Sequence, residues 1–378
     1  MMSASDDFGY DDVDLDVLIS LFAEASQSNL EPLSPEEGLK MYKNLREDEL
    51  TPATLRSHQS RLQFFLNWCD ENGITNLNEL SGRDLQKFRN WRKDGLSVSS
   101  LETNMRTLRL FLQKCVKFDG VQAGIPGKVE VPSVSAADNA RDELVSGDQA
   151  EMILQHLNKY EYGSIEHVVW LLLAAAGLRI SALQSLDVVD YTSTHEGGKL
   201  TLKHRVESGT RLKNAEASER VVHLPEHVAN TLEDYLSDQR PDVTDANGRE
   251  PLIASKHGRI ATTTIRKYVY KWTRPCMTGQ SCPHGKTENE VAQCDAMQTA
   301  SDAYKCPSSS SPHTVRRGYI THELDAGVPM PVVSDRCDVG SEVIEEHYDE
   351  RSDQEKMRLR KEVRESVHED GEQSGYGR

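Results

Sequence analysis

Three short segments carry side chains that together suit a phosphodiester. Arg179 follows a buried apolar run in Ala176-Gly177-Leu178-Arg179-Ile180-Ser181. His313 and Arg316 stand three apart in Pro312-His313-Thr314-Val315-Arg316-Arg317-Gly318, a spacing that turns both to one side at a helix start. Tyr348 lies in Glu346-His347-Tyr348-Asp349. Two guanidinium forks can clamp a phosphate with an imidazole acid/base beside them, and a phenol hydroxyl can attack phosphorus. Each segment alone is unspecific. An H-x-x-R pair is usually a solvated helix face, and a tyrosine near a C-terminus is usually packing.

The elements that must position these groups can be read from periodicity and caps. A chain of 378 residues suits two or three domains. Residues 1–32 read as an acidic tail. Residues 33–122 read as a helical bundle, with cap-plus-Pro starts at Ser34-Pro35 and Thr51-Pro52 and further starts near Ser81 and Ser99 or Ser100. Residues 123–141, with Gly124, Pro126, Gly127 and Pro132, read as a linker. In 142–352, helices are expected at Ser146–Leu157, Ser164–Ala176, Glu226–Gln239, Thr262–Thr273 and Thr314–Asp325. Lys199–Val206 alternates like a strand, with Glu219–Leu224 as its partner. A charged helix should run from Val343 to about Val367, so 353–378 is a C-terminal helix and tail. The class is mainly α with a small β-sheet (α+β).

The order and surroundings of the three segments are more specific than their parts. Ala176 to Ser181 resembles the first arginine box of the tyrosine recombinases, the phage integrase family. Ser311 to Gly318, followed by Thr321 to Val328, is similar to that family's second box. The resemblance spans about residues 34–365 and extends to haloarchaeal integrase-like proteins of Xer type. It implies a helical SAM-like core-binding domain over 33–122 and a mixed catalytic domain over 142–352. It implies that Arg179, Lys213, His313 and Arg316 assist Tyr348, the nucleophile, in cutting and rejoining DNA through a 3′-phosphotyrosine. Lys213 is placed by the hairpin that Leu212-Lys213-Asn214 precedes, with Lys203 as the fallback. The partner implied is double-stranded DNA, bound by a homotetramer, with no cofactor for the chemistry. The family usually has His or Trp nine residues before the tyrosine, and here that position is Val339. A donor would then come from His347 or His322. The alternatives are a DNA-binding protein of this fold without chemistry and a type IB topoisomerase-like relaxing enzyme.

Cys276, Cys282, His284, Cys294 and Cys306 fall within a polar stretch, 274–308, outside the general family pattern. Four of them would suit a closed structural zinc site, although the spacings match no standard finger. Free thiols are the plainer alternative. The seven cysteines, an odd count, argue against a disulfide framework.

Charge separates the halves of the argument. The net charge is −17, unusual for a protein that grips phosphates. Yet residues 51–120 hold 11 Lys or Arg against 7 Asp or Glu. Arg83, Lys87, Arg89, Arg92, Lys93 and Arg106 lie there as candidate DNA contacts. No apolar run is long enough to span a bilayer, and Met1–Tyr10 carries Asp6 and Asp7 instead of a basic leader. A cytoplasmic protein is expected. The excess of acid suits a cytoplasm of high salt, where screening lengths fall to a few Å. Thermal stability should therefore rise from dilute to multimolar salt. Melting curves across that range test it, and full stability in dilute buffer would exclude a halophilic design.

Overall fold

The computed structural model describes residues 30–134 and 144–348, with residues 354, 357, 358, 361 and 365 beyond them. Most of the acidic tail and of the C-terminal segment thus lies outside the described residues. The chain divides into two compact units, Met1–Arg141 and Asp142–Arg378.

The described residues of the first unit form the α-helices α1 (Pro35–Arg46), α2 (Pro52–Glu71), α3 (Gly82–Lys93) and α4 (Val98–Val116). Each start is set by a hydroxyl that accepts a backbone N–H otherwise left without a partner. Ser34, Thr51, Ser81 and Ser97 do this, and Glu37 and Asp84 close capping boxes with Ser34 and Ser81. The α4 cap is Ser97, not Ser99 or Ser100; serines crowd this turn, and only Ser97 meets the N–H of Ser100. Helical spacing buries Leu62, Phe65, Leu66, Phe88, Leu108 and Phe111 in one core. Phe65 and Phe88 meet edge to face at 5.2 Å. Burial of each such side chain is worth about 1.5–3 kcal/mol.

The second unit is built on α6 (Ile165–Ala176), which α5 (Gly147–Tyr160) packs against. α6 is apolar almost all round, and eight of its twelve residues are buried. After α7 (Ile180–Ser185) comes an antiparallel sheet of β1 (Tyr191–Thr194), β2 (Gly197–Leu202) and β3 (Arg220–Leu224) in the order β1-β2-β3. Leu200 lies opposite Val222, so both bury side chains on the same face. β2 stops at Leu202, short of the expected Val206, and β1 was not foreseen because its residues are mostly exposed. Next come α8 (Glu226–Asp234), the short hairpin β4 (Ala254–Ser255) and β5 (Gly258–Arg259), and α9 (Thr262–Trp272). The expected helix to Gln239 is α8 plus a π turn over Tyr235–Gln239. Then follow α10 (Glu288–Ala292), α11 (Pro312–Asp325), α12 (Met330–Cys337) and α13 (Ser341–His347). α8, α9 and α11 also pack on α6. Among the described residues no helix is long and apolar enough to cross a membrane.

Residues 203–219, between β2 and β3, are fastened by a charge network. Asp187 and Asp190 are buried. Arg205 donates to Asp190 at 2.9 Å, and Arg249 donates to Asp187 and to Thr210 at 2.7 and 2.8 Å. Arg259 joins Asp187 to Asp245. Removing one partner of such a set leaves a buried charge uncompensated, at a cost of about 3–5 kcal/mol.

The start of the second unit is pinned to α11. Val145 N–H donates to the Thr314 carbonyl at 3.2 Å. A Cβ on Gly318 would lie 1.8 Å from the Val145 oxygen. An Ala in a helix interior normally gains about 1 kcal/mol over Gly. Here the sign should reverse: Gly318→Ala should destabilise by about 1–3 kcal/mol through overpacking. A lowered melting temperature is the expected reading, and a raised one would show that the close approach is absent.

Candidate active site

α6 ends at Gly177, whose φ of 57° is left-handed. A Cβ there would come within 2.4 Å of Tyr319 and 2.9 Å of the Cys337 sulfur. Only glycine allows this turn, and the turn delivers Arg179 as the N-cap residue of α7. Arg316 rises from α11 and is 3% exposed. Its Nη1 donates to the Gly177 carbonyl at 2.7 Å, so a cation sits at the negative end of α6. Burial brings the Arg316 pKa down to about 10, which leaves it protonated at neutral pH.

Arg179, Lys213, His313 and Arg316 all line one cleft of about 390 Å³. Lys213 stands on the β2–β3 connection between buried Leu212 and buried Ser218. Leu212 N–H donates to His204 Nδ1 at 3.0 Å, and Asn214 N–H to Ser218 Oγ at 3.1 Å. The longer loop is thus held, and Lys213, not Lys203, reaches the cleft. His313 keeps solvent access, but partial loss of water around its ring, and then Arg316, Arg317, Lys213 and Arg179, push its pKa below the usual value. It is therefore neutral at pH 7 and able to take a proton.

Tyr348 caps α13, is 9% exposed and packs with Ile344, Val333, Cys337 and Leu324. The Arg317 guanidinium carbon lies 5.7 Å from its ring centroid. Tyr348 is not among the residues lining the cleft. Val339 packs against the same apolar cluster, and its carbonyl accepts from Ser334 Oγ at 2.6 Å. His322 lines a different groove, beside Gly147. The His347 side chain lies outside the described residues.

Several residues of the site escaped the sequence reading. Arg266 and Tyr270 line the cleft from α9; their spacing of four was the available signal. Asp338 bonds Arg179, Asn214 and Ser218, and Arg220 donates to the carbonyls of Ser218 and Arg336, each at 2.9 Å. No periodicity marks those contacts, because all but the Arg220–Ser218 bond join residues more than a hundred positions apart.

The zinc expected on Cys276, Cys282, His284, Cys294 and Cys306 is not supported. Among the described residues no three His, Cys, Asp or Glu side chains form a metal-binding group. His284 Nε2 faces Ser308 Oγ at 3.0 Å and Cys306 Sγ at 3.8 Å, and Lys286 donates to Cys294 Sγ at 3.4 Å. Order in this stretch has another source. Buried Arg274 donates to the Ala296 carbonyl at 2.6 Å, and Ser310 N–H reaches Thr273 Oγ1 at 2.8 Å.

Of the candidate DNA contacts in the first unit, Arg83, Lys87, Lys93 and Arg106 are exposed. Arg92 is half-buried. Its guanidinium stacks 3.8 Å over Phe64 and donates to Asn104 at 3.3 Å. Arg89 is partly buried, with Nε unpartnered.

Residues 143–354 match the phage integrase family, and residues 39–117 match the phage integrase N-terminal SAM-like domain. No curated protein matches. Similar solved structures include a lambda integrase dimer bound to a COC′ core site, at 14% identity and TM-score 0.55, covering 90% of this chain and 80% of that one. Another is the Tn1549 transposon integrase with transposon right-end DNA, at 12% and 0.56, covering 88% and 99%. The N-terminal domain of a phage integrase/site-specific recombinase from Haloarcula marismortui is 32% identical, with a TM-score of 0.27 over 27% of this chain and 99% of that one. The fold is that of the DNA-bound recombinases, and the family match covers more than half of the chain. The chemistry of this family calls for no cofactor. The chain belongs to the phage integrase family and is a tyrosine-type, site-specific DNA recombinase.

Proposed function

We propose that the cleft receives one DNA phosphate and that Tyr348 attacks it. The observation that carries this is convergence: Arg179, Lys213, His313 and Arg316, from three distant stretches, line a single cleft. Arg179 and Arg316 take the non-bridging oxygens and hold the charge that builds at phosphorus. The Tyr348 oxygen forms a bond to phosphorus, the bond to the 5′ oxygen breaks, and Lys213 protonates that leaving oxygen. Neutral His313 receives the phenol proton. A 5′-hydroxyl of a second DNA then reverses the step, because the bond energy is kept in the 3′-phosphotyrosine. Arg83, Lys87, Lys93 and Arg106 in the first unit contact the DNA backbone. A cytoplasmic location follows from that substrate.

The test is a covalent adduct on a nicked suicide substrate. Tyr348→Phe should abolish the adduct and leave DNA binding nearly intact. Arg179→Ala and Arg316→Ala should each lower cleavage by about 10²–10³-fold, with far less effect on affinity. Val339 supports a second reading, in which the protein binds DNA without cutting it. A wild-type protein that binds its site and yields no adduct would establish that reading.

We also propose a homotetramer on paired DNA sites, since a full exchange cuts four strands with one tyrosine each. Two features support it. A groove of about 670 Å³ is lined by Val145, Leu154, Leu171, Val315 and Tyr319, with Asp148 and Glu151 beside them. Residues 354–378 interleave Met357, Leu359, Val363 and Val367 with Lys356, Arg358, Arg360, Lys361, Glu362, Arg364 and Glu365, a thin apolar face with charged flanks. Removing 354–378 should spare cleavage of a nicked single site and impair synaptic complexes. Sedimentation on paired sites checks this, and an unchanged tetramer would leave the segment no role in assembly.

A further inference from the structure

Asp338 ends α12 in the left-handed region, at φ 52° and ψ 59°. A residue with a Cβ is uncommon there, and Asp is among the few types that adopt it without great strain. What sustains it is a set of bonds from three parts of the chain. Arg179 Nη1 donates to the Asp338 carboxylate and Nη2 to its main-chain carbonyl. Ser218 Oγ donates to Oδ2 at 2.7 Å, and Asn214 Nδ2 to Oδ1 at 3.1 Å. Asn214 is the neighbour of Lys213. Arg316 Nη2 approaches the same carbonyl at 3.5 Å.

We propose that Asp338 is the positioning residue of this site, fixing Arg179 and the Lys213 loop in the orientation that receives the phosphate. The inference rests on the roles given to Arg179 and Lys213 above. Three observations separate it from the opposite idea, a carboxylate that occupies the phosphate's place and must be expelled. First, Arg179 lines the cleft and Asp338 does not. Asp338 grips the two Nη groups from outside the cleft, and three of the five guanidinium N–H donors remain for an anion. Second, half of the grip is a backbone carbonyl, which cannot leave without unwinding the end of α12. Third, the Asp338 carboxylate bonds Arg179 and lies in the field of Arg220, while Arg316 approaches the main-chain carbonyl of the same residue. Burial alone would raise its pKa. Ser218, Arg179 and Asn214 outweigh that and hold it below the usual carboxylate range. The carboxylate is therefore ionised at neutral pH and offsets repulsion that would otherwise swing Arg179 away.

Two measurements on the full-length chain test this. In single-turnover adduct formation on the nicked suicide substrate, Asp338→Asn should slow cleavage by about 10²-fold, the scale of a misplaced reacting group, with DNA affinity little changed. Asp338→Ala should be slower still and should regain rate with added formate, which a purely structural defect would not. In ¹⁵N guanidinium spectra, assigned with Arg179→Lys, the Arg179 signal should be that of a restrained side chain and should become mobile in Asp338→Ala. Faster cleavage or tighter DNA binding by Asp338→Asn would make Asp338 a competitor of the phosphate and overturn the proposal. So would equal losses of rate, affinity and melting temperature. If the wild type forms no adduct, the catalytic reading fails separately. The spectra then decide alone, and an Arg179 signal unchanged in Asp338→Ala ends the idea.

Discussion

Like charges must be brought together before this chain can hold a phosphate, and the second unit is arranged around that requirement. Arg179, Arg220 and Arg316 come from α7, β3 and α11. Burial, and after it the neighbouring guanidinium charge, lowers the preference of Arg316 and Arg220 for the charged form. Nothing repays that cost except oxygen atoms aimed at the guanidinium groups. Gly177 supplies one from the end of α6, residue 338 supplies two, and Ser218 and Arg336 supply carbonyls to Arg220. Every oxygen depends on a chain reversal: the left-handed glycine that ends α6, the left-handed aspartate that ends α12, and the turn before β3. The apolar core around α6 fixes where those reversals fall.

Lysine delivery is solved differently. Lys213 stands on a connection too long and polar to pack by itself. The buried carboxylates Asp187 and Asp190 draw in Arg205, Arg249 and Arg259, and Arg249 reaches on to Thr210. Charge pairs of this kind add little net stability against an apolar alternative. What they add here is a defined position, since the paired groups fit in few arrangements.

Much of this architecture was legible in the sequence. The hydroxyl caps of α1 to α3, the nearly all-apolar α6 and the β2–β3 pairing follow from local chemistry and period, which the fold keeps. The three segments proposed for catalysis were visible because arginine, histidine and tyrosine declare their chemistry. Residues whose importance lies in a distant partner were not visible. Asp338 reads as one more acid in an acidic chain, and Arg92 reads as one more base on a basic helix until Phe64 is seen beneath it. The cysteine-rich stretch misled in the other direction. Ligand-type residues close in sequence gave a metal reading, whereas Arg274 and buried Ala296 and Ala303 account for its order. α12 was missed because a Pro-containing, weakly amphipathic octet carries little signal of its own.

The burial of Arg316 divides the protein's response to ions into two regimes. If exposed bases such as Arg83 and Arg106 hold DNA phosphates as proposed, dissolved ions compete with them and their hold weakens as salt rises. Arg316 lines the cleft but is 3% exposed, so dissolved ions screen it much less than they screen a surface base. Ionic strength therefore acts mainly on how long DNA stays and less on how a phosphate held at the cleft would be polarised.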